Sequence, residues 1–242
     1  MSGVFITGTD TGVGKTVVAA GLLHSLREAG LDAVPMKPVQ TGAVRQDGRL
    51  ISPDLRFCLE TSGMTVSPDA EDIMAPYRFE TPCSPHLAAQ MENNPIELST
   101  ICDCFRDMTR SGSKVIAEGA GGVLAPINES ASMLDLIQAL SVPVILVARS
   151  GLGTINHTLL SLDALRAAKV EVWGIIFNQA EHDEPEFIAR DNIATVGRLG
   201  RAQVLGSMAP LRKDQEKGAA LRQVFRRSAP GWQLVLERLQ SR

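Results

Sequence analysis

The sequence predicts an α/β fold: a doubly wound, mostly parallel sheet with helices on both faces, formed as one domain over residues 1–242. Three observations predict it. Apolar runs of strand length alternate with amphipathic runs of helix length along the chain. The first apolar run, Val4-Phe5-Ile6, passes through a glycine-rich turn directly into a helical pattern. A later run, Lys114-Val115-Ile116-Ala117, ends on the carboxylate of Glu118 and then opens into glycines. At 44% hydrophobic residues the chain has enough apolar side chains for a sizeable core, and it shows no repeat, low-complexity block or linker.

The first turn is Gly8-Thr9-Asp10-Thr11-Gly12-Val13-Gly14-Lys15-Thr16. Between a strand and a helix, such a turn aims successive backbone N–H groups at one point, at the positive end of the helix dipole. Phosphate is the natural occupant. Gly12, Val13, Gly14 and Val17 would form its cradle, Lys15 would reach the β- and γ-phosphates, and the Thr16 hydroxyl would hold Mg²⁺. Thr9 stands where the strict pattern has glycine, with Gly8 one place earlier, but the glycines, lysine and threonine that follow are in place.

The helix behind the turn spans residues 14–29, with Val18, Leu22, Leu23 and Leu26 at helical spacing and Gly30 as a stop. A second strand covers residues 33–37. Pro38 biases Lys37 toward extended backbone and so places the lysine at the strand's carboxyl end, the rim that faces the ligand crevice in parallel sheets. Residues 40–52 read as a polar loop. Ser52-Pro53-Asp54 reads as a helix start, with serine capping and proline in the first turn. Asp54 there either complements the helix dipole or supplies a Mg²⁺ ligand. Residues 61–94 read as a long irregular, proline-rich excursion, broken by a short helix from Ser84-Pro85 to about residue 91. A helix follows over residues 95–109, and then the strand ending at Glu118. An acid at the tip of a strand beside a phosphate loop is the usual second signature of a phosphate-loop nucleotidase, held near the metal. Glycines after it allow close backbone approach.

The rhythm then repeats. Residues 143–147 form a strand, and Gly151-Leu152-Gly153-Thr154-Ile155-Asn156-His157 turns into a helix whose N-terminus is another candidate anion seat. Residues 172–177 form a strand ending at Asn178-Gln179, where the Asn amide either reads a purine edge or caps a turn. Residues 202–206 form a late strand with Ser207–Leu211 as its exit loop. Charged helical stretches cover residues 183–198, 218–227 and 233–240.

Composition excludes several function classes. Aromatics are 4% with one Tyr, the net charge is −3, and no long basic run occurs, so stacking platforms and a nucleic-acid footprint are not expected. The cysteines at 58, 83, 102 and 104 complete no metal set and read as thiols of a reducing compartment. No apolar run approaches the roughly 20 residues of a membrane span. The chain begins without leader features, so the expectation is a cytoplasmic protein with no membrane partner.

Five segments together resemble the dethiobiotin synthetase family. They are the phosphate loop, Lys37-Pro38-Val39-Gln40-Thr41-Gly42, Thr81-Pro82-Cys83-Ser84-Pro85-His86, Glu118-Gly119-Ala120-Gly121-Gly122, and the Gly151–His157 turn. The resemblance implies a phosphate-loop nucleotidase fold and an ATP- and Mg²⁺-dependent ligase of biotin synthesis. That ligase closes the ureido ring of dethiobiotin from 7,8-diaminononanoate and CO₂ or bicarbonate. A carbamate and a carbamic–phosphoric anhydride are the intermediates. It also implies a homodimer with substrate at the subunit interface.

By the same resemblance Lys15 and Lys37 are catalytic, and Thr16, Asp54 and Glu118 hold the metal. ATP binding would involve residues 12–17, Asp54, Glu118, Gly119, Ala120, Gly121, Asn178, Gln179, Met208, Ala209 and Pro210. Thr11, Lys37 and Thr41 would meet the reacting end of the substrate, and Gly153, Thr154 and Asn156 would meet its carboxylate from the other subunit. The alternative is a partner-regulated ATPase switch of the partitioning or positioning kind. Those share the fold but carry an extra lysine early in the loop, where this chain has Asp10.

Overall fold

A computed structural model describes residues 2–179, 185–211, 215 and 218–241. Its centre is a six-stranded sheet in the order β10-β9-β8-β1-β7-β2, with every neighbour pair parallel. In chain order these strands are β1 (Gly3–Gly8), β2 (Ala33–Met36), β7 (Lys114–Glu118), β8 (Val144–Arg149), β9 (Val172–Asn178) and β10 (Val204–Met208). The last begins two residues later than the sequence pattern suggests, so Met208 closes the strand instead of standing in its exit loop.

Strand period sorts the core into two layers. Val4 and Ile6 of β1 face one side and Phe5 the other; Ile145 and Val147 of β8 oppose Val144, Leu146 and Ala148. On the Val4 side lie α1 (Lys15–Glu28), α9 (Gly218–Ser228) and α10 (Trp232–Gln240). The final helices insert Leu221, Phe225, Trp232, Val235 and Leu239 into this layer, which gives the last part of the chain a packing role. Phe225 lies against Gly21 of α1, where a Cβ would stand 2.7 Å from its ring. On the Phe5 side lie α5 (Leu98–Arg110), α6 (Met133–Leu140), α7 (Thr154–Ala167) and α8 (Glu186–Gly200), together with α4 (Pro85–Met91).

Four local features differ from the sequence expectation. The segment read as a polar loop contains β3 (Val39–Thr41) and a small antiparallel hairpin, β4 (Val44–Gln46) with β5 (Arg49–Ile51). Its strands are too short, and β4 too exposed, to give an alternating pattern. The excursion after residue 61 contains α3 (Pro68–Met74) and β6 (Tyr77–Phe79), the latter pairing parallel with β3. The Ser67 hydroxyl caps α3 and Pro68 opens it, the same device that starts α2 (Pro53–Thr61) at Ser52-Pro53. Helix α6, absent from the sequence expectation, starts at a capping box formed by Ser132 and Asp135. Helix α5 starts at Leu98, later than its expected residue 95. The expected start at residue 183 of what is α8 lies outside the described residues.

Candidate active site

The sheet order decides the site. Strand β7 lies between β1 and β2, all three parallel, with Ile6 opposite Glu118 and Met36 opposite Ala117. Their carboxyl ends therefore deliver three things side by side: the phosphate loop after β1, Glu118 at the tip of β7, and Lys37 just beyond β2. A backbone hydrogen bond from Lys37 N–H to Met74 O at 2.8 Å fixes where the lysine leaves the sheet.

The glycine turn takes the required form. Gly14 is the N-cap of α1 at φ 95°, a left-handed conformation that a side chain disfavours. A Cβ there would also stand 2.1 Å from Asn178 Nδ2. That nitrogen donates to Val13 O at 3.1 Å, so the end of β9 braces the loop from behind. The Asn178 amide nitrogen is thereby engaged with the phosphate loop. Gln179 donates its backbone N–H to Met208 O at 2.9 Å, which holds the ends of β9 and β10 together, with Ala209 and Pro210 following.

Lys15 is buried, and its Nζ donates to the Asp10 carbonyl at 2.8 Å. Burial, then the nearby Lys37 ammonium, lowers its pKa to about 8. Lys37 is 4% exposed and carries two ion pairs: Nζ to Asp54 Oδ2 at 2.5 Å and to Glu118 Oε1 at 2.7 Å. Burial works to lower its pKa, but the two carboxylates outweigh it and hold the ammonium above its ordinary range. Burial pushes the Glu118 carboxyl up, with Asp54 adding to the push and Lys37 and Thr16 opposing it. One ammonium facing two carboxylates keeps its proton, so we assign the shared proton to Lys37. The Thr16 hydroxyl donates to Glu118 Oε1 at 2.8 Å.

Asp54 sits in the first turn of α2, and the residue that sets it there is Gln40. Gln40 Oε1 accepts from the Ser52 hydroxyl at 2.6 Å and from the Asp54 backbone N–H at 3.3 Å, while its Nε2 donates to Thr41 O at 2.8 Å. In the sequence Gln40 belongs to the Lys37–Gly42 motif but has no role of its own. Its partners are 12 and 14 residues away and become visible only when β3 folds against α2.

Gly12, Gly14, Lys15, Thr16, Val17, Lys37, Asp54, Glu118, Gly119, Ala120 and Gly121 all border one cavity of about 440 Å³. A second cavity of about 780 Å³ meets it across Thr11, Thr41, Ala120 and Gly121. Cys83, Leu124 and Leu160 make part of its wall apolar, and Leu124 and Leu160 are exposed. Val13 is buried beneath the loop and borders neither cavity. Asn178, Gln179, Met208, Ala209 and Pro210 form a separate group at the ends of β9 and β10.

Gly153, Thr154 and Asn156, at the start of α7, line neither cavity of this one chain. Thr154 donates its N–H to Gly151 O at 3.1 Å and its hydroxyl to Arg149 O at 2.6 Å, so both of its donors are engaged. Gly153 and Asn156 are exposed.

Among the described residues no group of three or more His, Cys, Asp or Glu forms a metal cage. The set of Thr16 hydroxyl and the Asp54 and Glu118 carboxylates is all oxygen and already holds a cation, the Lys37 ammonium. That suits magnesium, which binds through one or two carboxylates and takes its other ligands from water and phosphate. No helix of the described residues is long and apolar enough to cross a membrane.

A family model described as an AAA domain matches residues 2–216. The chain is 36% identical to the ATP-dependent dethiobiotin synthetase BioD of Clostridium novyi (strain NT), covering 93% of each chain. It is 40% identical to that of Anaeromyxobacter sp. (strain Fw109-5), covering 92% of this chain and 96% of the relative. Among solved structures it resembles the MinC:MinD cell division protein complex of Aquifex aeolicus, with a TM-score of 0.60 at 12% identity, covering 100% of this chain and 96% of that one. The Pyrococcus furiosus cell division ATPase MinD gives a TM-score of 0.59 at 14% identity, covering 97% and 100%. At such identities the structural likeness shows the phosphate-loop nucleotidase fold, whereas the sequence likeness runs nearly end to end. The chain belongs to the ATP-dependent dethiobiotin synthetase family.

Proposed function

We propose that the chain acts as one ligase domain that uses ATP to close the ureido ring of dethiobiotin from 7,8-diaminononanoate and CO₂ or bicarbonate. The observation that carries this reading is the pair of adjacent cavities that share Thr11, Thr41, Ala120 and Gly121. One is small, glycine-lined and bears two lysines; the other is larger, partly apolar and bordered by Thr11 and Thr41. A triphosphate end fits the first, and a long diamine carrying a carboxylate fits the second.

The reaction divides into one addition and two displacements. One amine of the diamine forms an N–C bond to CO₂ and loses a proton, giving a carbamate. A carbamate oxygen attacks the γ-phosphorus, and the bond to the ADP oxygen breaks. The second amine attacks the anhydride carbon, sheds its proton, and inorganic phosphate leaves as the ring closes. Each intermediate gathers negative charge between Lys15 and Lys37, where positioned cations stabilise it without reorganising water. Thr11 and Thr41 stand where the cavities meet and would orient the amines and the carbamate. The last step is intramolecular, and good orientation there is worth roughly 7–11 kcal/mol.

Thr16, Asp54 and Glu118 would hold Mg²⁺, which supplies neutralisation of the β- and γ-phosphate oxygens. Asn178, Gln179, Met208, Ala209 and Pro210 would take the base. Gly153, Thr154 and Asn156 would serve the larger cavity of a second copy in a homodimer, with the backbone and helix dipole of α7 facing the carboxylate. A cytoplasmic location agrees with this chemistry, which draws on ATP and bicarbonate.

The test is incubation with ATP, Mg²⁺, ¹³C-bicarbonate and diaminononanoate. The expected result is dethiobiotin carrying one ¹³C, with phosphate release that requires the diamine. Phosphate release independent of the diamine, with no labelled product, overturns the reading.

A further inference from the structure

The Lys37 ammonium lies between Asp54 Oδ2 and Glu118 Oε1, at 2.5 and 2.7 Å, the oxygens read above as metal ligands. The same oxygens cannot serve an ammonium and a divalent cation at once, and the two cations would repel across a few ångström. Lys15 does not share the post, because its Nζ is turned to the Asp10 carbonyl. Glu118 is 3% exposed, so its charge needs a cation whichever one is present.

We propose that Lys37 is the resident counter-ion of the Asp54–Glu118 pair and is exchanged for the divalent cation, which releases its ammonium into the phosphate cavity. The inference rests on the metal set of the preceding reading. The exchange needs no backbone movement. The Lys37 backbone is pinned to Met74 O, while four methylenes let the head group swing. Asp54 stays in place because Gln40 holds its backbone N–H and the Ser52 cap.

The device orders the site. Before the metal arrives, the Lys37 ammonium is engaged by two carboxylates and its charge is spent on them. Once the metal takes the carboxylates, two ammonium groups face the cavity and only an anion there relieves them. Lys37 therefore becomes available to the carbamate only in a metal-loaded site.

The experiment measures Mn²⁺ binding to the nucleotide-free protein by electron paramagnetic resonance of the free ion, in wild type, Lys37→Met, Lys37→Arg and Lys15→Met. Removing the competing ammonium should tighten Mn²⁺ binding in Lys37→Met by roughly tenfold or more. Lys37→Arg, which keeps the cation, should match wild type, and Lys15→Met should change by less than about threefold. Equal or weaker binding in Lys37→Met, or an equal gain in Lys15→Met, overturns the exchange.

If Lys37→Met fails to fold, the ¹⁵Nζ resonance of Lys37 in wild type decides. It is identified by its loss in Lys37→Arg, and it should shift on adding saturating Mg²⁺; no shift overturns the exchange. None of these measurements reads ring closure, so failure here and failure of the ligase reading are told apart.

Discussion

Asn178 Nδ2 reaches across from the end of β9 to donate to the Val13 carbonyl at 3.1 Å, and it occupies the space that a Cβ on Gly14 would need. The phosphate loop is therefore shaped by a residue 165 positions away as well as by its own glycines. Gly14→Ala combines a left-handed φ with this clash, and the backbone strain alone is about 1–2 kcal/mol. The expected outcome is a lower melting temperature and weakened ADP binding. In an Asn178→Ala background the clash is relieved, so the two substitutions should show a coupling of about 0.5–3 kcal/mol in a double-mutant cycle. Strict additivity would refute the contact.

Gln40 is expected to act on metal affinity through Asp54. Gln40→Ala removes the acceptor of the Ser52 hydroxyl and the Asp54 N–H, a loss of about 1–3 kcal/mol at a buried site. Isothermal titration should find ADP binding without metal nearly unchanged and Mg²⁺ binding to the ADP complex weakened. Equal weakening of both would point to general damage.

Nucleotide affinity should carry a pH signature from Lys15. Its pKa of about 8 means the free protein gives up this proton as the solution passes pH 8. A bound phosphate favours the charged form, so above pH 8 binding must take a proton up. Affinity for metal-free ADP should be flat below pH 8 and fall toward tenfold per pH unit above it. Lys15→Met should bind at least about tenfold more weakly and lose the slope.

Lys37→Ala should leave the affinity for metal-free ADP nearly unchanged, because without the metal Lys37 is paired to carboxylates and not to the loop. Product formation should be abolished, a loss expected to exceed about 100-fold in turnover. A fall in ADP affinity matching that of Lys15→Ala would contradict the division of roles.

Phe225→Ala tests the packing role of the last helices. The ring is fully buried against Gly21 of α1, and its removal should cost about 3–5 kcal/mol in denaturant unfolding. Turnover per folded molecule should be little changed, since Phe225 lies outside both cavities.

Much of the site was legible because its signals are local. The phosphate loop lies within nine consecutive residues, Lys37 is fixed at a strand end by Pro38, and Glu118 ends an apolar run. Ser67-Pro68 and Ser132 with Asp135 also carry local helix-start signals, the starts of α3 and α6. The hairpin of β4 and β5 was not legible, because two three-residue strands, one exposed and the other half-buried throughout, leave no hydrophobic alternation to read.

The sequence by itself determined most of the elements, their alternation, and the residue types that suit phosphate and a hard cation, since these follow from periodicity and from turn and cap chemistry within a few residues. Only the tertiary structure decided what meets what. Inserting β7 between β1 and β2 brings Lys37 within 2.7 Å of Glu118, 81 residues away, and folding β3 against α2 gives Gln40 its work on Asp54. Strand order is settled by how whole layers bury their faces, and no short stretch of sequence contains that information.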